Sequence, residues 1–515
     1  MIRFNSQSIS NKIIIYILLF YCITNSQTHL VADSHYLLLS EKASFNKSIP
    51  NQVGLFRPIF YNTDSLAFAL SINSETYYNN NAPNQENMDV RYFSKGVGNY
   101  KSIRFSANSP YFSLLFEPYI INNQFFPVQN INGRNEVFQV LNDRELRYST
   151  ISNKNPYNFA VIFNYRGFGF GWHKGNRWWG PGLHSSLQMT NNTQPFLGQV
   201  FGTMREVRIG PFGVYAVHTF AKINEKTGNE AKYFTSLNGQ ITWYSSANIT
   251  LGFSRNYLTG GSNNFSDYFW SEKDAKLIVF EGIFTSNLIG SEYTVGGHDI
   301  WDQTISLYAI ATLPKKSIKI YAEFGANDNR MYFADFLSQP DHSMATIFGV
   351  RDYGVGNRKN IIWGFEWTNL MISYSSRHRP TGPGTWYNKI VYDYSTYMGR
   401  RWAAHSGTDS DDWLLFAGYL SDKFMFVPAI NYERHGIVSY RPAEVKMELK
   451  LDTRYKFNDI WFGLYYEKQF EAFLGFPNYF YEDASGKPID SSEGKLANQR
   501  STNTLIFTIN KTINF

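Results

Sequence analysis

The sequence predicts an all-β fold: one large closed antiparallel transmembrane β-barrel behind a short N-terminal helical segment. Three observations carry this. Apolar and polar residues alternate along segment after segment. Aromatic residues make up 18% of the 515 positions, with mean hydropathy only −0.34. Beyond the N-terminus there is no run of the ~18 apolar residues that a spanning helix needs. These exclude a helical membrane bundle, and aromatics at this density exclude a disordered chain. A single cysteine, Cys22, removes any disulfide framework or cysteine-based metal site.

Residues 1–26 read as a secretory signal peptide. Arg3 and Lys12 precede the uncharged apolar stretch Ile13 to Ile23, and Thr24-Asn25-Ser26 supplies small or polar residues at the exit. Tyr21 is bulky where lipoprotein processing at Cys22 calls for a small residue. Loss of Arg3 and Lys12 takes the net charge from +6 to +4, too mild to argue for nucleic acid. Residues 27–54 form a short segment before the barrel. Asp33 and Ser34 are placed to cap a helix through Tyr36 to Lys42, either on the periplasmic side or tucked into the lumen.

Residues 55–515 are expected to form the barrel. Successive strand side chains point to opposite faces, so period two reports a sheet between two different solvents. From Ser317, SIKIYAEFG sets Ile318, Ile320, Ala322 and Phe324 against Lys319, Tyr321 and Glu323. VKMELKLD sets Val445, Met447, Leu449 and Leu451 against Lys446, Glu448, Lys450 and Asp452. Ile249, Leu251 and Phe253 oppose Asn248, Thr250 and Ser254, and Trp363, Phe365 and Trp367 oppose Ile362, Gly364 and Glu366. Between Tyr165 and Trp172, glycines alternate with Phe168, Phe170 and Trp172. A soluble sandwich with one wet face also alternates. Aromatics closing the apolar face, and gaps that alternate between short turns and long polar loops, favour a barrel with girdles and one elaborate end. Leu505 to Phe515 places Leu505, Phe507, Ile509, Ile513 and Phe515 on one face. An apolar segment ending on an aromatic resembles the signal read by the bacterial outer-membrane insertion machinery. In lipid such strands must close on themselves. At roughly 25–30 residues per strand and loop, the length gives about 16–20 strands, and 18 is the best match.

Several motifs stand out from this pattern. Arg177 to Ser186 reads RWWGPGLHSS, followed by Asn191-Asn192-Thr193-Gln194-Pro195-Phe196. Arg379 to Tyr387 reads RPTGPGTWY, and Gly399 to Trp413 reads GRRWAAHSGTDSDDW. Tyr321-Ala322-Glu323-Phe324-Gly325 has Asp328 shortly after. In this order, over about Gly169 to Trp413, the set resembles the capsule assembly Wzi family of outer-membrane proteins. The resemblance implies a barrel of about eighteen strands and a lectin-like, non-catalytic role in holding capsular or exopolysaccharide at the cell surface. The chain departs from the family in having barely one helix before the barrel. It also has Lys389 after Asn388, where histidine is expected.

Sugars are bound by aromatic faces together with fixed polar groups. Trp178 and Trp179 fit the first role, with interfacial anchoring or packing on the glycine turn as their plainer use. Asp409, Asp411 and Asp412 fit the second, or form a solvated rim. Arg377, Arg400, Arg401 and the neighbouring His378 can meet acidic sugars through charge-assisted bonds. His405, among small residues, is a hydrogen-bonding candidate. Arg205, Glu206, Glu323 and Glu366, on inward faces, are expected to brace the lumen as ion pairs. No cofactor is expected. Calcium at the aspartates would suit their density, but no EF-hand spacing exists and no metal site is assigned. There is no GxSxG or HExxH motif, and His184, Ser185 and Ser186 alternate across faces, so no catalytic residues are assigned. The expected location is the bacterial outer membrane. The expected partners are polysaccharide, outer-membrane lipid and other envelope proteins. A diffusion channel or oligosaccharide exporter is the competing reading.

Overall fold

Alternation along the chain becomes the wall of a barrel. The computed structural model describes residues 37–45, 56–57, 66–81, 86–91, 95–122, 156–223, 232–260, 271–280, 294–295, 298–299, 301–327, 337–357, 359–378, 386–387, 395–397, 400–438, 443–473 and 499–515. The signal-peptide segment, the helix cap at Asp33 and Ser34, and Lys389 lie outside them.

Eighteen antiparallel strands close on themselves. They are β1 (Ala67–Asn79), β2 (Gly96–Asn108), β3 (Phe112–Glu117, continued by Tyr119–Ile121), β4 (Asn158–Tyr165), β5 (Phe168–Gly175) and β6 (Phe196–Thr203, continued by Val207–Ile209). Next come β7 (Phe212–Ile223), β8 (Lys232–Trp243), β9 (Asn248–Gly260), β10 (Asp302–Leu313), β11 (Ile318–Asn327) and β12 (Met344–Val355). The last are β13 (Ile361–Asn369), β14 (Ser410–Leu420), β15 (Phe424–His435), β16 (Glu444–Phe457), β17 (Ile460–Ala472) and β18 (Arg500–Asn514). β18 pairs with β1 from Ala69↔Asn514 to Asn79↔Thr504, which leaves no open edge. β3 is interrupted at Pro118, which has no N–H to give the ladder.

The outer and inner faces are inverted relative to a soluble protein. Ile320 and Phe324 of β11 are exposed while the alternate residues Lys319, Tyr321 and Glu323 are buried. In β16, Met447 and Leu449 face out, and Lys446 and Glu448 face in. An apolar outside over paired polar groups suits lipid. Links at the end of the barrel shared by the start of β1 and the end of β18 are two to five residues long. Links at the opposite end are all eight residues or longer. These are called here the turn end and the loop end.

Among the described residues, the first strand of the wall is Ala67–Asn79. Phe56–Arg57 pair instead with Trp178–Trp179, inside the ring of strands. The inner face is also drier than alternation alone suggests. Tyr308, Ile310, Tyr321, Ala345 and Ile347 point inward and pack with Trp179, Leu187, Phe234, Trp386 and Trp402 in one buried cluster. Inward positions read as wet from the sequence are dry where loop aromatics return to cover them.

The helix α1 (Leu37–Phe45) lies in the lumen near the turn end. Its Leu38, Leu39 and Phe45 pack against Tyr353, Ile362, Leu414 and Phe416 of β12–β14. Lys42 Nζ donates to Asn360 Oδ1 at 3.1 Å and to the Leu420 carbonyl, both at turn-end links.

Candidate functional site

Two loop-end segments fold into the barrel and carry most of the residues singled out by sequence. The first is the link from β5 to β6, residues 176–195. Arg177 anchors it by donating to the carbonyls of Phe196 at 2.9 Å and His173 at 2.7 Å. Burial pushes this guanidinium down to about 9. Trp178 is 1% exposed, and its Nε1 donates to the Gly182 carbonyl at 3.0 Å, so it packs on the glycine turn. Trp179 is buried against Phe234, with ring centroids 6.0 Å apart. Neither indole offers an open face to a sugar.

The glycine turn exists because the wall comes so close. Gly180 has φ +133°, and a Cβ there would meet Ser186 Oγ at 2.7 Å and Glu323 Oε2 at 2.9 Å. Gly182 lets Glu366 reach in. The Glu366 carboxylate accepts from the backbone N–H groups of Leu183 at 2.6 Å, His184 at 3.0 Å and Ser185 at 2.8 Å. Arg351 of β12 ties this loop to α1. It donates to the Pro181 carbonyl at 2.8 Å and Glu41 Oε1 at 2.9 Å, and its Nη1 lies 3.8 Å from Glu366 Oε2. Glu41 also accepts from Lys319 at 3.0 Å and Tyr353 at 2.5 Å. Burial alone would raise the Glu41 carboxyl, but Arg351 and Lys319 beside it hold it down at about 2.

The second segment, residues 395–397 and 400–409, is laced to the first. Thr190 donates from Oγ1 to the Ala403 carbonyl at 2.7 Å and from its N–H to that of Trp402 at 2.8 Å. Asn192 Nδ2 donates to the Arg401 carbonyl at 3.2 Å. Arg400 and Arg401 are buried, and the Arg401 guanidinium lies 4.8 Å from the centroid of the Tyr387 ring. Asp409, Asp411 and Asp412 are buried as well, so they form no solvated rim. Asp409 accepts from the N–H groups of Ile372 at 3.3 Å and Val438 at 2.8 Å, stapling two neighbouring links. Asp411 accepts from Arg434 Nε at 2.9 Å. Asp412 accepts from Asn431 Nδ2 at 2.5 Å. His405 stands between Asp412 and Glu433, its Nε2 at 3.3 Å and 3.4 Å from their oxygens. Burial lowers this imidazole, but the two carboxylates outweigh it and push it up to about 10.

The four residues expected to brace the lumen divide. Glu366 accepts mainly from loop backbone N–H groups and lies 3.8 Å from Arg351. Glu323 is buried beneath Gly180 and makes no ion pair among the described residues. Arg205 is exposed, and Glu206 pairs with Arg208 at 3.0 Å and Tyr244 at 2.6 Å near the turn end. Both lie in the break of β6 between Thr203 and Val207, where period two stops predicting the face. The principal brace, Arg351 with Glu41, escaped sequence reading. An arginine at an inward position of an alternating strand was the available signal; its partner, 310 residues away, had none.

Among the described loop-end residues, a short turn stands outside this packing. The single-turn helix α2 (Tyr374–Arg377) is capped by Ser373. Tyr374 is 78% exposed, with Arg377 and His378 exposed beside it and the Tyr374 and His378 rings 4.8 Å apart. Deeper in the lumen, Gln188, Asn256, Tyr257 and Trp402 line a cavity with room for about one water.

No protein-family model and no curated protein matches the sequence. Among solved structures, similarity extends to Escherichia coli Wzi, described as an outer membrane protein involved in group 1 capsule assembly and a carbohydrate-binding β-barrel. The TM-score is 0.56 at 11% identity, over 94% of this chain and 93% of Wzi. The fold is that of Wzi. Two Pseudomonas aeruginosa proteins are also similar. OpdN (OccK10) has TM-score 0.42 and 9% identity, covering 88% of this chain and 100% of its own. OprD has TM-score 0.42 and 7% identity, covering 88% of this chain and 95% of its own. The eighteen-strand barrel that the family resemblance implies is the barrel that forms, and Wzi shares its architecture.

Proposed function

We propose that the protein is an outer-membrane barrel that binds surface polysaccharide and helps assemble or attach capsule or exopolysaccharide, without catalysis. The observation that carries this is the filled lumen. Helix α1 and residues 176–195 occupy the bore and are tied to the wall through Arg351, Glu41 and Glu366, and residues 400–409 are laced onto them through Thr190 and Asn192. A barrel braced in this way suits holding better than passage. The apolar outer face supports an outer-membrane location, with the loop end toward the outside. The carbohydrate binding described for Wzi supports the ligand class.

In this reading the buried motif residues, Trp178, Trp179, Arg400, Arg401, His405, Asp409, Asp411 and Asp412, act as a framework that positions the loop end. The exposed turn touches the sugar: the Tyr374 ring covers C–H faces, and Arg377 meets acidic groups. Tyr374→Ala combined with Arg377→Ala should release polysaccharide from cells into the medium at unchanged protein level. Retention equal to wild type, with the purified barrel passing porin-like currents in planar bilayers, would favour a channel instead.

A further inference from the structure

Four side chains converge at the loop end. Glu86, His184, His405 and Glu433 each bring an oxygen or ring nitrogen to within 4.8 Å of the other three. Asp412 adds another, its Oδ2 3.3 Å from Nε2 of both His184 and His405. His405 Nε2 is also 3.4 Å from Glu433 Oε1 and 3.6 Å from Glu86 Oε2. Charge-assisted N–H···O bonds run at about 2.7–2.9 Å, so these contacts are too long to be good ones. They match another geometry. Four ligands at about 2.0–2.1 Å from a central ion in a tetrahedron stand about 3.3 Å from one another.

Without an ion these donor atoms meet only at such long distances, and the proton that His405 then carries is one a metal ion would displace. His184 Nε2, His405 Nε2 and Asp412 Oδ2 are buried and without a hydrogen-bond partner, and buried polar atoms in that state call for an explanation. The groups behind them are held. Asn431 Nδ2 donates to Asp412 Oδ1 at 2.5 Å, His435 Nε2 lies 2.9 Å from Glu433 Oε2, and Asn87 Nδ2 lies 3.4 Å from His405 Nδ1. Partners of this kind fix the orientation of metal ligands. Lys446 Nζ contacts both Glu86 and Glu433, the latter at 2.9 Å, so these two carboxylates are shared with a cation and Asp412 is the freer oxygen.

We propose that His184, His405 and Asp412, with Glu433 completing the set, bind a divalent transition-metal cation of the zinc class. Imidazole with carboxylate is a donor set for such ions rather than for calcium. The ion would clasp the links holding His184 and His405 to strands β14 and β15. It goes beyond the sugar-holding role and does not depend on it.

The test uses the full-length barrel in detergent, stripped with chelator and then titrated with Zn2+ or Co2+. The expected result is one ion per chain and the visible absorption of tetrahedral Co2+. His405→Gln and His184→Gln should each weaken binding by about 100-fold or more. Arg377→Ala should leave it unchanged, with the heat-dependent gel shift of a closed barrel confirming folding in every variant. A wild-type barrel that gives no tetrahedral Co2+ spectrum overturns the proposal. So does one whose spectrum survives His405→Gln. If a glutamine variant fails to fold, the wild-type spectrum and stoichiometry decide alone.

Discussion

Arg351 holds three parts of the molecule at once: the helix through Glu41, the glycine turn through the Pro181 carbonyl, and its own wall beside Tyr321. Removing one member of a buried ion pair leaves the other charge unpaired, at a cost of about 3–5 kcal/mol. Arg351→Ala should therefore lower the unfolding free energy measured in denaturant by that order, and it should raise single-channel current as α1 loosens. Glu41 gives the same contact a pH dependence. Its folded-state pKa of about 2 lies below the ordinary carboxylate value of 4.5. The pair thus stabilises docking fully above about pH 4.5 and is lost as pH falls through 2. Hydrogen exchange of α1 amides should speed up over that window, and Glu41→Gln should abolish the dependence.

At the scale of elements, the turn in RWWGPG is what lets a loop thread the bore. Gly180→Ala places a side chain on a backbone at φ +133° and against Ser186 and Glu323. Gly182→Ala drives a Cβ to within 1.9 Å of the Ser185 carbonyl. Either substitution should unseat residues 176–195, seen as new protease cleavage within them in intact detergent-solubilised barrel. The strands around this loop were legible in the sequence because each separates two solvents, which leaves period two in Ile320, Phe324, Met447 and Leu449. The loops were not. Trp178, Asp409 and Asp412 have the residue types of a sugar site, yet Trp178 donates to the Gly182 carbonyl of its own turn, Asp409 accepts from the N–H groups of Ile372 and Val438, and Asp412 accepts from Asn431. No periodicity encodes such pairings. His184 and His405, 221 positions apart, converge for the same reason, unseen from either local sequence. Arg205 was misplaced by a break in β6 that alternation does not announce.

For the whole molecule, the filled lumen predicts a barrel that conducts poorly. Purified protein should give little current, and deletion of residues 37–45 should raise it by unblocking the turn end. The ring itself imposes a further demand. Its seam joins segments far apart in sequence, with Ser71 and Thr512 sharing a hydrogen bond across 441 positions. While a ribosome is still producing the middle of this chain, β1 has no neighbour on one side, and its unsatisfied amides are ready to meet any stray β-segment. Such a polypeptide gains from being escorted unfolded to its destination and zipped shut there in a single act. A product stopped before β18 would be sticky debris rather than a smaller version of the same protein.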